Sequence, residues 1–288
     1  MMDIDISVAF PCSARVGEGP FWDRRTGLLH WVDILAGRIH TGDTRTGSRL
    51  EPVTLPTLVG AAVPKTSGGF VAATKEGFAD VDPGGTSTTR SAFLPAGHRM
   101  NDAKCDASGR LWAGSTDMDF APGQGALHVL SPDWSSLHVL DGLTLPNGLG
   151  WSPDQRTFYL VDTIAGELNA FDVTPGRSTL ANRRLLTRFN ESSGMPDGMT
   201  IDTDGCLWIA MWGGDRLLRI SPEGRTLMEL PVPARQPSSC TFGGPDLDVL
   251  YVTTAREGLD LEEEDPAGSV LAVRGLGARG LPATRFGG

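Results

Sequence analysis

Residues 145–154 read LPNGLGWSPD and residues 195–204 read MPDGMTIDTD, so the same Pro-x-Gly frame returns after fifty positions. Taken singly, the frame is typical of a turn, because proline presets φ and glycine supplies a positive φ. Its return in register, with an apolar residue four places after each central residue, indicates a repeated structural unit. The central residues, Asn147 and Asp197, are therefore the positions whose role has to be explained.

The repeat extends through the rest of the chain. Residues 18–22, EGPFW, shift by 129 positions onto residues 147–151. Residues 101–112, NDAKCDASGRLW, shift by 96 positions onto the stretch that begins at Asp197. Each unit continues with a turn rich in Asp, Pro and Gly and then with a β-rich strand such as LLHWVDI, TFYLVDT or CLWIAMW. Short strands separated by such turns indicate an all-β fold.

The length of the repeat selects the architecture. Six units share the 288 residues, which gives about 48 residues each, and several strands per unit at that period predict a β-propeller. We therefore predict a six-bladed β-propeller with four-stranded antiparallel blades, as a single domain over residues 1–288. The N-terminal strand, around residues 4–10, is expected to pair into the last blade and close the ring. The units begin at Glu18, Val59, Asn101, Asn147, Asp197 and Ser238.

Composition excludes several classes of partner and location. A net charge of −10 argues against binding to a nucleic-acid backbone, and no run approaches the length of a transmembrane segment. The N-terminus carries acidic residues where a signal peptide needs Lys or Arg. The four cysteines are scattered, without a C-x-x-C pair, and read as buried free thiols. We expect a cytoplasmic protein without an obligatory protein partner.

The leading residues of the units have a chemistry in common. The first strand of every propeller blade lines the central channel, so residues at one repeat position form a ring around the axis. Four of the six carry carboxylate or amide oxygens, which hard divalent cations prefer. The alternative is that these residues only start turns and cap strand ends. Their shared register favours a metal site, because buried carboxylates need a counter-charge.

Several linked motifs carry a family resemblance. They are GEGP around Glu18, RMND followed by GRLWAGS, LPNGLGWSPD, PDGMTIDTDG, and the run CTFGGPDLDVLYVTTAREG. In this order, over essentially the whole chain, they resemble the SMP-30/gluconolactonase/LRE family, whose members include regucalcin-like proteins and bacterial sugar lactonases. The resemblance implies a six-bladed propeller that opens a small sugar lactone with one divalent ion, which could be Ca²⁺, Zn²⁺, Mn²⁺, Mg²⁺ or Fe²⁺.

The resemblance also assigns roles to residues. It implies that Glu18, Asn147 and Asp197 bind the metal, and that Arg99 and Asn101 contact the sugar lactone. A carboxylate on the loop after WAGS is a further family feature, for which Asp119, or else Asp117, is the candidate. Asp197, which is both a ligand and a neighbour of the incoming water, is the candidate general base.

Two functional alternatives stay open at this stage. The substrate could be gluconolactone or another aldonolactone, such as a xylono-, arabinono- or galactonolactone. The chain could instead be a non-enzymatic, regucalcin-like calcium-binding protein.

Other conspicuous residues have structural interpretations. Asp33 and Asp162 each follow a leading residue by fifteen positions and are expected to make turn bonds. The tryptophans are expected to pack the blades, and the acidic stretch 261–265 to form a solvated loop.

Overall fold

The computed structural model describes residues 4–260 and 265–287, and their regular secondary structure is antiparallel β-strand apart from one short 3-10 helix. The strands form six sheets, and the inner strand of each sheet contacts the inner strands of its two neighbours around a ring. The predicted six-bladed β-propeller is therefore confirmed. Of the acidic stretch 261–265, only Asp265 lies within the described residues.

The strands follow the blades in chain order. Blade one contains β2 (Gly17–Asp23), β3 (Leu28–Asp33), β4 (Arg38–Asp43), β5 (Ser48–Arg49) and β6 (Val53–Thr54). Blade two contains β7 (Val59–Pro64), β8 (Phe70–Thr74), β9 (Gly77–Val81) and β10 (Ser87–Ala92). Blade three contains β11 (His98–Cys105), β12 (Leu111–Asp117), β13 (Gly125–Leu130) and β14 (Ser136–Leu143). Blade four contains β15 (Pro146–Trp151), β16 (Thr157–Asp162), β17 (Glu167–Val173) and β18 (Leu180–Arg188). A turn of 3-10 helix, Glu191–Ser193, precedes blade five. Blade five contains β19 (Met195–Ile201), β20 (Leu207–Trp212), β21 (Arg216–Ile220) and β22 (Thr226–Pro231). Blade six contains β23 (Pro237–Gly243), β24 (Val249–Thr254) and β25 (Val270–Arg274), together with the N-terminal strand β1 (Asp5–Phe10).

The ring closes as the sequence predicts. Strand β1 pairs antiparallel with β25 and becomes the outer strand of the sixth blade. The first blade departs from the prediction of four continuous strands, because two short strands, β5 and β6, share its outer position and pair with opposite ends of β4. Pro52 lies between them and has no N–H to donate to β4, which accounts for the interruption.

A register shift recurs in all six inner strands. Each pairs regularly with the second strand of its blade except at or beside the leading residue, where one or two residues drop out of the ladder. A β-bulge of this kind bends the strand and re-aims a side chain. The repeat seen in the sequence is thus a repeat of the bulge, and the bulge places each leading residue at the same level of the channel.

The structure corrects one local interpretation. The frames around Asn147 and Asp197 are strands, not turns, and Gly148 and Gly198 do not have a positive φ. These glycines are required by close approach instead. A Cβ on Gly148 would lie 2.6 Å from the carbonyl oxygen of Asp197 in the next blade, and one on Gly198 would lie 2.1 Å from Ser239 Oγ.

The expectations for the repeated aspartates and the tryptophans are met, whereas the expectation of buried cysteines fails for Cys12, which is only partly buried. Asp33 accepts hydrogen bonds from the backbone N–H groups of Arg15 and Val16, and Asp162 accepts them from two equivalent groups of the fourth blade. Each aspartate therefore ties the start of an inner strand to the end of the second strand. Trp112 and Trp208 are fully buried, as expected for blade packing.

A buried histidine makes the stability of the fold sensitive to pH. Burial lowers the pKa of His30 to about 4, and its Nδ1 lies 2.9 Å from Thr41 Oγ1. The unfolded chain binds a proton near pH 6.5, so between these values it binds more protons than the folded protein. The free energy of unfolding therefore falls with falling pH, by about 2 kcal/mol between pH 7 and pH 5 for this group.

Urea unfolding of the wild type and of His30→Gln at pH 7 and pH 5 tests this. Between pH 7 and pH 5, we expect the free energy of unfolding to fall by about 2 kcal/mol less in His30→Gln than in the wild type. His138→Gln is the control, because His138 is on the surface. An equal pH dependence in His30→Gln and in the wild type would contradict the prediction.

Candidate functional site

Four of the leading residues meet as buried polar groups at one end of the channel. Glu18, Asn101, Asn147 and Asp197 are each no more than 5% exposed. Asn147 Nδ2 donates to Asp197 Oδ1 and, at 3.1 Å, to Thr163 Oγ1. Asn101 Nδ2 donates to the Pro146 carbonyl at 3.1 Å and so links the third blade to the strand that carries Asn147. The leading residues that share a repeat position in the sequence thus lie close together in the structure.

The carboxylates of this cluster are strongly destabilised in their charged form. Burial raises the pKa of Glu18 well above its usual value, and the charges of Asp197 and Asp102 raise it further. Burial, followed by the charge of Asp102, does the same to the pKa of Asp197. Nearby acids that are removed from water repel one another and lack solvation. The cluster therefore needs positive charge nearby to stabilise the charged form of its carboxylates.

A guanidinium group meets part of that need. Arg99 Nη1 donates to Asn101 Oδ1 at 2.7 Å and to the Met100 carbonyl at 3.1 Å. Burial lowers the pKa of Arg99 to about 10, while Glu18 and Asp197 oppose the shift. Arg99 remains charged at neutral pH and faces the carboxylates, and its other N–H groups can serve a ligand.

The donor set also fits a divalent cation. Asn147 Oδ1 is buried and has no hydrogen-bond partner among the described residues, which is unusual for a buried amide oxygen. This oxygen and the carboxylates of Glu18 and Asp197 are oxygen ligands of the kind hard cations prefer. Over residues 4–260 and 265–287, no three His, Cys, Asp or Glu side chains form a metal-holding group, so a site here depends on the amide.

The remaining predicted positions have other surroundings. Asp119 is exposed on the loop after β12, and its backbone N–H donates to Asp117 Oδ1 at 3.0 Å. None of the described hydrogen bonds joins its side chain to Arg99 or Asn101. Ser238 Oγ donates to the Gly17 carbonyl, so it links the sixth blade to the first. Val59 brings a buried apolar side chain to the ring.

Two ionisable residues of the channel, the buried Asp102 and the partly buried Lys104, are not among the site residues predicted from the sequence. Asp102 directly follows Asn101 and raises the pKa of Glu18 and of Asp197. Lys104 Nζ donates across the channel to the Met199 carbonyl at 2.7 Å. Both border a cavity of about 260 Å³ that runs along the channel towards the C-terminal residues 281–284.

The sequence did contain a signal for Asp102. The residue after the leading position is glycine in four of the six units, namely Gly19, Gly60, Gly148 and Gly198. Asp102 is the one ionisable residue at this position, since the sixth unit has Ser239 there.

Comparison with known proteins shows the family of the chain. The model of the SMP-30/Gluconolactonase/LRE-like region matches residues 16–256. The chain belongs to the SMP-30/gluconolactonase/LRE-like family. The resemblance inferred from the motifs is thereby confirmed.

Similar members of the family carry two kinds of name. Regucalcin of Danio rerio is 38% identical over 296 residues, which cover 100% of both chains. A putative sugar lactone lactonase, YvrE, of Bacillus subtilis (strain 168) is 34% identical over 281 residues, 96% of each chain. The crystal structure of a calcium-binding protein, regucalcin, from Agrobacterium tumefaciens strain C58 superposes with a TM-score of 0.90 at 26% identity, covering 97% of this chain and 96% of that one.

The family thus unites regucalcins and lactonases on one propeller. Its members' names support a gluconolactonase- or regucalcin-like protein without distinguishing the two. No helix in the described residues is long and apolar enough to cross a membrane.

Proposed function

We propose that the protein is a divalent-metal-dependent hydrolase that opens the ring of an aldonolactone, of the gluconolactonase type, in carbohydrate catabolism. The observation that carries the proposal is the buried set of Glu18, Asn147 and Asp197, with the unpartnered Asn147 Oδ1 among them. Family names that include sugar lactone lactonase support the same reaction class.

Glu18, Asn147 and Asp197 would hold the cation. The two carboxylates and the neutral amide would balance the charge of a bound divalent ion, and its positive charge would offset the burial and the repulsion that raise the pKa of Glu18 and Asp197. When bound, the ion supplies a Lewis acid that polarises the lactone carbonyl. Ligand type favours Ca²⁺, Mg²⁺ or Mn²⁺, and Zn²⁺ and Fe²⁺ remain candidates from the family resemblance.

The protein's own groups do the rest of the chemistry. Asp197 accepts the proton of the attacking water as the general base, a role that suits a carboxylate beside the incoming water. Arg99 directs its fork of donors at the developing negative charge or at a ring hydroxyl. Asn101 orients Arg99 through the 2.7 Å bond and presents its amide to the sugar. Asp119 is proposed as a rim contact for a substrate hydroxyl.

A second candidate function is a non-enzymatic calcium-binding protein. The regucalcin name of the Danio rerio relative and the calcium-binding description of the Agrobacterium structure favour it. Both functions would use the same three ligands, so only turnover separates them. For either, we propose a cytoplasmic location, because the four cysteines are free thiols.

A panel of lactones and metals tests the proposal. The metal-free protein would be supplied in turn with Ca²⁺, Mg²⁺, Mn²⁺, Zn²⁺ or Fe²⁺ and mixed with glucono-, xylono-, arabinono- or galactonolactone. We expect proton release at least about tenfold above the chelated protein for one or more pairs, because the cation is needed at the carbonyl. Calorimetry on the same samples would report cation binding.

The two functions give different results in this panel. Tight Ca²⁺ binding with no turnover of any lactone would favour the calcium-binding alternative. Full activity of the chelated protein would overturn the proposed role of the metal.

A further inference from the structure

A second polar cleft lies outside the channel, at the seam where the ring closes. The segment of residues 11–14 runs from β1 of the sixth blade into the first blade and forms one wall. The cleft has a volume of about 420 Å³, and the side chains that matter in it are Cys12, Asp33, Arg38, His40, Arg49 and Glu51.

A buried imidazole nitrogen borders this cleft without a partner. His40 is 5% exposed, and its Nε2 makes no hydrogen bond within the described residues. The ring stacks on Trp31 with centroids 5.2 Å apart, which holds it in place. Burial, together with the charges of Arg49 and Arg38, lowers the pKa of His40 to about 4. The ring is therefore neutral at physiological pH, and Nε2 can offer one N–H.

Two guanidinium groups converge on the same place. Arg38 and Arg49 both line the cleft together with His40. Neither forms a salt bridge with a carboxylate of residues 4–260 or 265–287. Arg49 Nη1 donates to Cys12 Sγ at 3.3 Å, which leaves its other donors available.

The acidic groups of the cleft, Asp33 and Glu51, form no ion pair with these arginines within the described residues, although the charge of Asp33 opposes theirs at His40. Asp33 is occupied by backbone N–H groups: Oδ2 accepts from Arg15, and Oδ1 accepts from Val16 and Ala36. Glu51 is exposed and makes none of the described ion pairs. In this cleft, two arginines that form no ion pair within the described residues lie beside a buried imidazole nitrogen without a partner.

We propose that this cleft is a binding site for a phosphate-type oxyanion. The forks of Arg38 and Arg49 match the geometry of phosphate oxygens, and the His40 N–H supplies a donor at the buried end. The anion would connect the closing segment of residues 11–14 to the first blade, so its binding stabilises ring closure. The site is separate from the central channel, and the proposal does not depend on lactonase activity.

Binding of inorganic phosphate to the whole protein is the primary test. Calorimetry would compare the wild type with Arg49→Met and Arg38→Met, and thermal unfolding without phosphate would verify that each variant folds. Arg45→Met is the matched control, because Arg45 lies on the same blade but is paired with Asp43. We expect Kd to rise at least about tenfold in the Arg49 and Arg38 variants and to stay within about twofold in the control.

Cys12 gives an independent readout of occupancy. It is the partly exposed cysteine, whereas Cys105, Cys206 and Cys240 are buried. Phosphate should slow alkylation of Cys12 by iodoacetamide in the wild type and in Arg45→Met, but not in Arg49→Met. Glucose 6-phosphate forms a second arm: tighter binding than inorganic phosphate identifies a phosphorylated metabolite, and equal binding identifies the free anion.

Two outcomes would overturn the proposal. One is the absence of saturable phosphate binding together with unchanged alkylation of Cys12. The other is an equal loss of affinity in Arg45→Met and Arg49→Met, since this would reflect general surface charge rather than the cleft.

Discussion

Replacing Asp197 by asparagine is expected to lower kcat/KM for the preferred lactone by about a thousandfold or more. The substitution removes one charged metal ligand and the proposed general base while keeping the shape of the side chain. It also removes a buried charge from beside Glu18 and Asp102. We therefore expect the metal-free variant to be at least as stable to urea as the wild type. Lost activity with retained or increased stability is the signature of a functional group that is held at a cost to the fold.

The control for this experiment is Asp204→Asn, in the turn between β19 and β20. Asp204 is exposed and paired with Arg219, at the other end of the strand that carries Asp197. The control should keep activity within about twofold, because surface ion pairs contribute little. If Asp197→Asn kept activity within about tenfold of the wild type, the proposed roles of Asp197 would be wrong.

Replacing Gly148 by alanine is expected to damage both the fold and the site. The new Cβ would lie 2.6 Å from the Asp197 carbonyl oxygen and 2.8 Å from the Met199 backbone N. Both atoms belong to the backbone of the next inner strand, so the two blades must separate to admit the methyl group. We expect a loss of about 3 kcal/mol in the free energy of unfolding and a fall of at least about tenfold in kcat/KM, since Asn147 moves away from Asp197.

Gly150→Ala, on the same strand, is the matched control. Its Cβ would meet Ile201 Cδ1 at 3.1 Å, the far end of a side chain that can move. We expect less than about 1 kcal/mol of destabilisation and unchanged activity. Urea unfolding and lactone turnover measure both effects. Equal stability of the two alanine variants would show that close approach is not the reason for the glycine at position 148.

Much of the site was accessible from the sequence because the fold is repetitive. Asn147 and Asp197 occupy one repeat position, so placing one of them in the channel places the other, and the structure brings both together with Glu18 and Asn101. Asp119 belongs to a loop that varies between blades. No repeat position predicts its orientation, and it lies exposed.

The Pro-x-Gly frames mark the limit of local reasoning. The composition of LPNGLG is that of a turn, yet residues 146–151 form an inner strand. Glycine is needed at position 148 because the backbone of the neighbouring blade lies so close to it. The residue preferences of turns do not predict that contact. In the same way, the repeat marks Asp102 as unusual at its position, but only closure of the ring makes it a third channel carboxylate that acts on Glu18 and Asp197.

The sequence by itself determined the number of blades, the position that leads each inner strand and the family of the protein. These follow from the periodicity of the repeat, which can be read directly from the order of residues along the chain. The tertiary structure decided which leading residues face one another, which become links between blades and where unpaired charge accumulates. Glu18 and Asp197 are 179 positions apart, and their repulsion exists only because closure of the ring brings them into the same dry channel.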